Sequence, residues 1–165
     1  MRKSLLPLLL LVLPASALAD TATLTVSGTV LPGTCTMTAT DITLDPVKAD
    51  EMAVATPVNL KAGVLNFAGC VGVVRARLSF DGTEADGDVQ RWKNTATTTP
   101  ATGVSIALLS GTTGTNYLKK GDAQTVAVTG ATASYALRAG YYIGSNAGIN
   151  AGNISTEIVV TAAYD

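Results

Sequence analysis

The fold reading starts from Asn153-Ile154-Ser155-Thr156-Glu157-Ile158-Val159-Val160-Thr161-Ala162-Ala163-Tyr164. Ile154, Thr156, Ile158, Val160, Ala162 and Tyr164 fall on one side of an extended chain; Ser155, Glu157, Val159, Thr161 and Ala163 fall on the other. A period of two with β-branched residues on both sides is the pattern of a half-buried strand. No helical period fits it, because successive apolar side chains would then point all round the axis.

The same alternation recurs upstream. Leu24, Val26, Gly28 and Val30 oppose Thr23, Thr25, Ser27 and Thr29; Cys70, Gly72, Val74, Ala76, Leu78 and Phe80 oppose Arg75, Arg77 and Ser79. Val104, Ile106 and Leu108 make a further stripe, Val126 and Val128 a short one, and Tyr135, Leu137, Ala139, Tyr141 and Ile143 another. Turn signals separate them at Asp81-Gly82, Asp86-Gly87, Gly111 to Gly114, Lys120-Gly121-Asp122 and Ser145 to Gly148. Residues 48–55 offer at most one helical turn, which Pro57 ends. Seven or so strands at such intervals predict an all-β antiparallel sandwich.

Composition narrows the function. The 165 residues include 11 Lys+Arg, 12 Asp+Glu and no histidine, and 14% are charged. No Ser-His-Asp or Cys-His site and no His-ligated metal is possible. The balanced charge provides no basis for strong nucleic-acid binding. The reading is therefore not an enzyme, with no cofactor, no metal and no small-molecule substrate. A 47% hydrophobic content with little net charge is not that of a disordered chain.

Residues 1–19 read as a secretory signal peptide. Arg2 and Lys3 precede the apolar run Leu5–Leu13, and Ala17-Leu18-Ala19 fits cleavage before Asp20. That run is too short to span a bilayer, which takes about 20 residues. Export permits a disulfide between Cys35 and Cys70, the only cysteines; two free thiols are the alternative. Closing that loop stabilises by about 3–4 kcal/mol in the chain-entropy model. Two features are unusual for a sandwich. Pro32-Gly33 uncouples the alternating run 22–30 from the body, and the last strand reaches the final residues. Both raise the question of an exposed edge open to another chain.

Taken in order, these segments resemble pilins of the chaperone–usher fimbrial family (type 1 fimbrial-like subunits). The resemblance begins with the signal peptide and the extension Thr23-Leu24-Thr25-Val26-Ser27-Gly28-Thr29-Val30, with Cys35 soon after. It continues through Leu65-Asn66-Phe67-Ala68-Gly69-Cys70, Leu78-Ser79-Phe80-Asp81-Gly82-Thr83, Asn94-Thr95-Ala96, the run Gly103 to Leu109, and Tyr135 to Tyr142. Its most specific part is Gly152, fourteenth from the end, with Tyr164 penultimate. The extension is short for a major shaft subunit and looks more like that of a tip or minor subunit; no lectin domain precedes it.

The resemblance implies an incomplete immunoglobulin-like β-sandwich completed by a donor strand from another subunit. Residues 20–31 would be the donor-strand extension and 32–165 the pilin domain. Ala22, Leu24, Val26, Gly28 and Val30 would form the donor face. Gly152, Ile154, Ile158, Val160 and Tyr164 would form the acceptor groove and chaperone contact. Implied partners are a periplasmic pilus chaperone, an outer-membrane usher and neighbouring pilin subunits, with export through the periplasm to a surface fimbrium. The chain would be a structural subunit supporting cell adhesion, in the shaft or as a minor or tip subunit. The alternative is a self-complete secreted β-sandwich binding module, lectin-like or spore-coat-like.

Other candidates carry less. Asp81, Glu84, Asp86 and Asp88 crowd one loop but lack an ordered calcium-ligand pattern and read as solvated. Trp92 could stack on a sugar but reads as a partly buried anchor. Lys119-Lys120 reads as a solvated turn, and the Asn153-Ile154-Ser155 glycosylation pattern as strand chemistry.

Overall fold

A computed structural model describes residues 22–146 and 148–165. The predicted signal segment 1–19 lies outside the described residues. The chain divides into two units, Met1–Val30 and Leu31–Asp165. In the first, the described residues 22–30 are all exposed and belong to no strand.

The second unit is the predicted all-β body. Its strands are β1 (Thr36–Ala39), β2 (Val58–Ala68), β3 (Arg75–Gly82), β4 (Glu84–Ala85), β5 (Asp88–Trp92), β6 (Ser105–Ser110), β7 (Ala123–Ala127), β8 (Thr132–Tyr142) and β9 (Ile158–Tyr164). Among the described residues the helical structure is one 3₁₀ turn, Ala49–Glu51, inside the segment where the sequence allows a single turn. One sheet has the order β1-β2-β8-β6-β5-β4, the other β7-β3-β9, and every strand pairing is antiparallel. The chain changes sheets where β3 runs out at Gly82 into β4. Asp86-Gly87 then closes the β4–β5 hairpin, with Gly87 at φ 75°.

Alternation explains the packing. Leu65 and Phe67 of β2, Ile106 and Leu108 of β6, and Leu137 and Ala139 of β8 face Ala76, Leu78 and Phe80 of β3 and Val126 of β7 in one buried core. The Cys35–Cys70 bridge forms, tying the chain entering β1 to the chain leaving β2.

Three local expectations need correction. The stripe from Cys70 to Phe80 is not continuous: Val73 is 6% exposed and Val74 66%. Gly72, at φ 66°, turns the chain there and resets which side faces inward. Strand β6 is not one-sided, because Ala107 and Leu109 are buried on its outer face with Tyr142, and Tyr117 packs against them. Arg91 joins that cluster, its guanidinium 3.5 Å from the Tyr117 ring centre and 3.9 Å from that of Tyr142. Finally, residues 154–157 are extended but do not join β9's ladder. Ser155 bonds to Asn94 and Thr95 instead: its carbonyl accepts from the Thr95 N–H and its N–H donates to the Asn94 side-chain oxygen.

Trp92 is completely buried and donates its Nε1–H to the Leu118 carbonyl at 2.9 Å. Its ring is core, with no face left for a sugar. The loop carboxylates are used singly: Asp81 pairs with Lys120, Asp86 with Lys93, and Asp88 accepts from the Gln90 N–H.

Candidate functional site

Strand β9 hydrogen-bonds to β3 along one side and, among the described residues, to no strand along the other. Beside that open edge lies a groove of about 810 Å³. Ile158 and Val160 of β9 and residues 149–157 before it form one wall; residues 39–47 form the facing wall. Leu65, Ile106, Leu108, Leu137 and Ala139, core residues of the larger sheet, form the floor. The groove is therefore a slot where the sandwich core reaches the surface between two extended walls.

Each wall has a local cause. Ile42 and Leu44 alternate with Asp41, Thr43 and Asp45, so their side chains turn inward although the segment joins no ladder. Gly63 makes room for this: a Cβ there would sit 2.5 Å from Ile42 Cδ1 and 2.8 Å from Leu137 Cδ1. Tyr141 holds the far end of this wall, donating its hydroxyl to the Asp45 carbonyl at 3.0 Å. Burial, helped by the nearby Asp45 charge, pushes the Tyr141 phenol above its ordinary pKa and keeps it a neutral donor.

On the other wall, Asn94 joins residues 94–102 to residues 150–155. Its amide donates to the Ala101 carbonyl (3.0 Å) and the Asn153 carbonyl (2.9 Å), and its oxygen accepts from the Ala96 N–H (3.1 Å) and the Ser155 N–H (3.0 Å). This uses both donors and both lone pairs of a carboxamide. Asn153, the candidate glycosylation residue, donates its side-chain amide to the Thr98 carbonyl at 2.8 Å. Thr99 stands in the left-handed region at φ 44°, a strained conformation for a β-branched residue; its carbonyl accepts from the Asn153 N–H at 2.7 Å.

Gly152 is placed where these two segments cross. A Cβ there would lie 2.5 Å from the Ala101 nitrogen and closer still to the Thr99 oxygen. Its φ is ordinary, so the requirement is close approach of two backbones. Gly152, Ile154, Ile158 and Val160 all line the groove. Tyr164 does not. It packs against the core and donates its hydroxyl to the Cys35 carbonyl at 3.1 Å, fastening the end of β9 beside the disulfide.

Ala22, Leu24, Val26, Gly28 and Val30 are all exposed, and a Cβ on Gly28 would meet nothing within 4 Å. Nothing near Gly28 in the chain calls for a glycine. Sequence reasoning passed over the 39–47 wall, although the Ile42/Leu44 alternation was there to be read. It noted Asn94 without its role, because three of its four partners are 7 to 61 positions away.

No protein-family model matches the sequence, and no curated protein matches it. Solved structures do match. The chain is similar to the Burkholderia pseudomallei antigen and type I fimbria protein BPSL1626 (TM-score 0.63, 18% identity, covering 79% of this chain and 100% of that one). It is also similar to the P pilus rod subunit PapA (TM-score 0.65, 12% identity, 81% and 100% covered). The CupB6 tip adhesin of Pseudomonas aeruginosa matches over 79% of this chain but only 38% of its own length (TM-score 0.65, 16% identity). The chain thus has the immunoglobulin-like fold of pilus subunits.

Proposed function

We propose that this chain is a structural subunit of a chaperone–usher surface pilus and polymerises by donating residues 20–31 to the groove of another subunit. The observation that carries this reading is the open edge of β9 beside a groove whose floor is the apolar sandwich core. An unpaired strand edge is a template for an added strand. A strand added there gains backbone bonds for affinity and side-chain pockets for specificity. Leu24, Val26 and Val30 supply about 5–9 kcal/mol on burial, before ordering costs. In the periplasm a chaperone strand occupies the groove; at the outer-membrane usher the next subunit's extension replaces it. Each subunit both gives and receives, so the contact is heterologous and builds a filament. The reading assigns no reaction, and places the protein, once exported, in the cell-surface fimbrium, where it supports adhesion.

The test is to coexpress the chain with a pilus chaperone, purify the complex and add a peptide of residues 20–31. The expected result is release of the chaperone and a peptide-bound monomer with a higher melting temperature. A mature chain that is stable alone and ignores the peptide would support the self-complete module instead.

A further inference from the structure

The described body exposes apolar side chains at both poles of the sandwich. Val71 and Val74 lie just past the end of β2, and Leu31 is two residues before Gly33, whose backbone lies against Val71; Val54 and Leu60 lie around the start of β2. At about 3.3 Å per residue, the 11 residues of β2 separate these poles by roughly 35 Å. Val54 bridges Ile143, just beyond β8, and Leu60 lies against Gly140, so both sit where β2 begins and β8 ends. Val74 accepts from the Val128 N–H and donates to the Asp165 carbonyl, which places it where β7 and β9 end. Near the two poles Lys61 pairs with Asp45 and Arg77 with Asp165, the latter at 2.7 Å.

We infer that these poles are a complementary pair of docking surfaces for successive copies of this chain, with Val71 and Val74 of one copy seated on Val54 and Leu60 of the next. The inference rests on the donor-strand reading above and follows from connectivity. Every ladder in both sheets is antiparallel, and a strand added to β9 in the same sense ends beside the start of β9. Ile158, which starts β9, pairs with Gly82 at the far end of β3, the pole of Val54 and Leu60. Met52, two residues from Val54, lines the groove there. The donated segment therefore leaves the acceptor at that pole.

On the donor side the chain has little slack. Only Leu31 and Pro32 separate Val30 from Gly33, three residue steps spanning at most about 11 Å. Gly33 is already fixed to the body, because a Cβ there would overlap the Val71 carbonyl oxygen. The acceptor's Val54–Leu60 pole is thus held against the donor's Val71–Val74 pole, and each presents two exposed apolar side chains to the other.

The test uses the mature chain assembled through its chaperone, with Val54→Cys and Val74→Cys in one chain; Cys35 and Cys70 are already bridged. Treating fibres with a short bismaleimide is expected to give a ladder of covalent multimers. Fibres formed in normal yield without a ladder overturn the docking while leaving strand donation intact. A chain that binds its own 20–31 peptide yet forms no fibres without a second subunit type overturns the choice of a second copy as partner. The Val71→Asp/Val74→Asp double variant should bind the peptide as the wild type does but shed subunits at least tenfold faster; an unchanged rate overturns the inference.

Discussion

Along β9, Ile158, Val160, Ala162 and Tyr164 are half-buried against the core, and the residues between them face out. Residues 22–30 carry the same alternation, yet Leu24, Val26 and Val30 are 86%, 84% and 95% exposed and no strand forms. Residues 22–30 hold more Thr and Ser than β9, but both alternate as a strand does. What separates them is a ladder: β9 pairs with β3 over seven registered positions, from Gly82↔Ile158 to Ala76↔Tyr164. Alternation shows that a segment can be a strand; an available edge decides whether it is one.

The sharpest way to break this comparison is one substitution made in both regions. Val160→Asp should lower the unfolding free energy of the peptide-bound chain by about 3 kcal/mol in urea, since it sets a charge among core side chains. Val26→Asp should leave that measurement unchanged while abolishing filaments on the cell surface. Equal effects in both assays would erase the distinction.

The next largest effect concerns the segment feeding β9. Asn94→Ala strips partners from the Ala101 and Asn153 carbonyls and the Ala96 and Ser155 N–H groups, and should cost about 2 kcal/mol, read from the same urea curves. Gly152→Ala forces apart the crossing at Thr99–Ala101 and should cost about 1.5 kcal/mol. It should also weaken peptide binding, because Gly152 lines the groove. Gly28→Ala meets nothing in the chain, so it should leave stability unchanged; any effect should appear only in donation.

Tyr164→Phe keeps the packing of β9 and loses only the hydroxyl bond to the Cys35 carbonyl, about 1 kcal/mol. The smallest effect is at Asp81, opposite Val159 in the β3–β9 ladder. The Gly82 N–H, then the hydrogen bond and charge of Lys120, hold its carboxyl below the ordinary 3.8. A lowered folded-state pKa means its stabilisation is present above 3.8 and is lost as pH falls below it. Lys120→Ala should flatten this acid dependence slightly in unfolding midpoints taken between about pH 5 and pH 2. The change should be small, because the carboxyl is fully exposed.

Much of the body was legible because a two-residue period survives wherever one side of a strand is buried. The inward stripe of β8 and the Asp86-Gly87 hairpin could be read from neighbouring residues alone. The errors fall where a neighbour far along the chain takes over. Val73 rather than Val74 is buried because Gly72 turns the chain after the disulfide. Both sides of β6 are covered because residues 116–118 fold back along it, pairing Leu109 with Tyr117. On the candidate site, Gly152, Ile154, Ile158 and Val160 were visible as a stripe, whereas Ile42 and Leu44 across the groove were passed over. A wall that makes no ladder shows only a short alternation.

The sequence alone determined that this is an all-β chain without histidine, with an alternating segment before Cys35 and an alternating strand at its end. Those are consequences of local periodicity and residue chemistry. Only the tertiary structure decided that β9 pairs on one side alone among the described residues, that a groove floored by the core opens beside it, and that Asn94 and Gly152 hold its wall. The reason is physical: an edge is free only relative to every other strand, and a groove is the space left between segments more than one hundred positions apart.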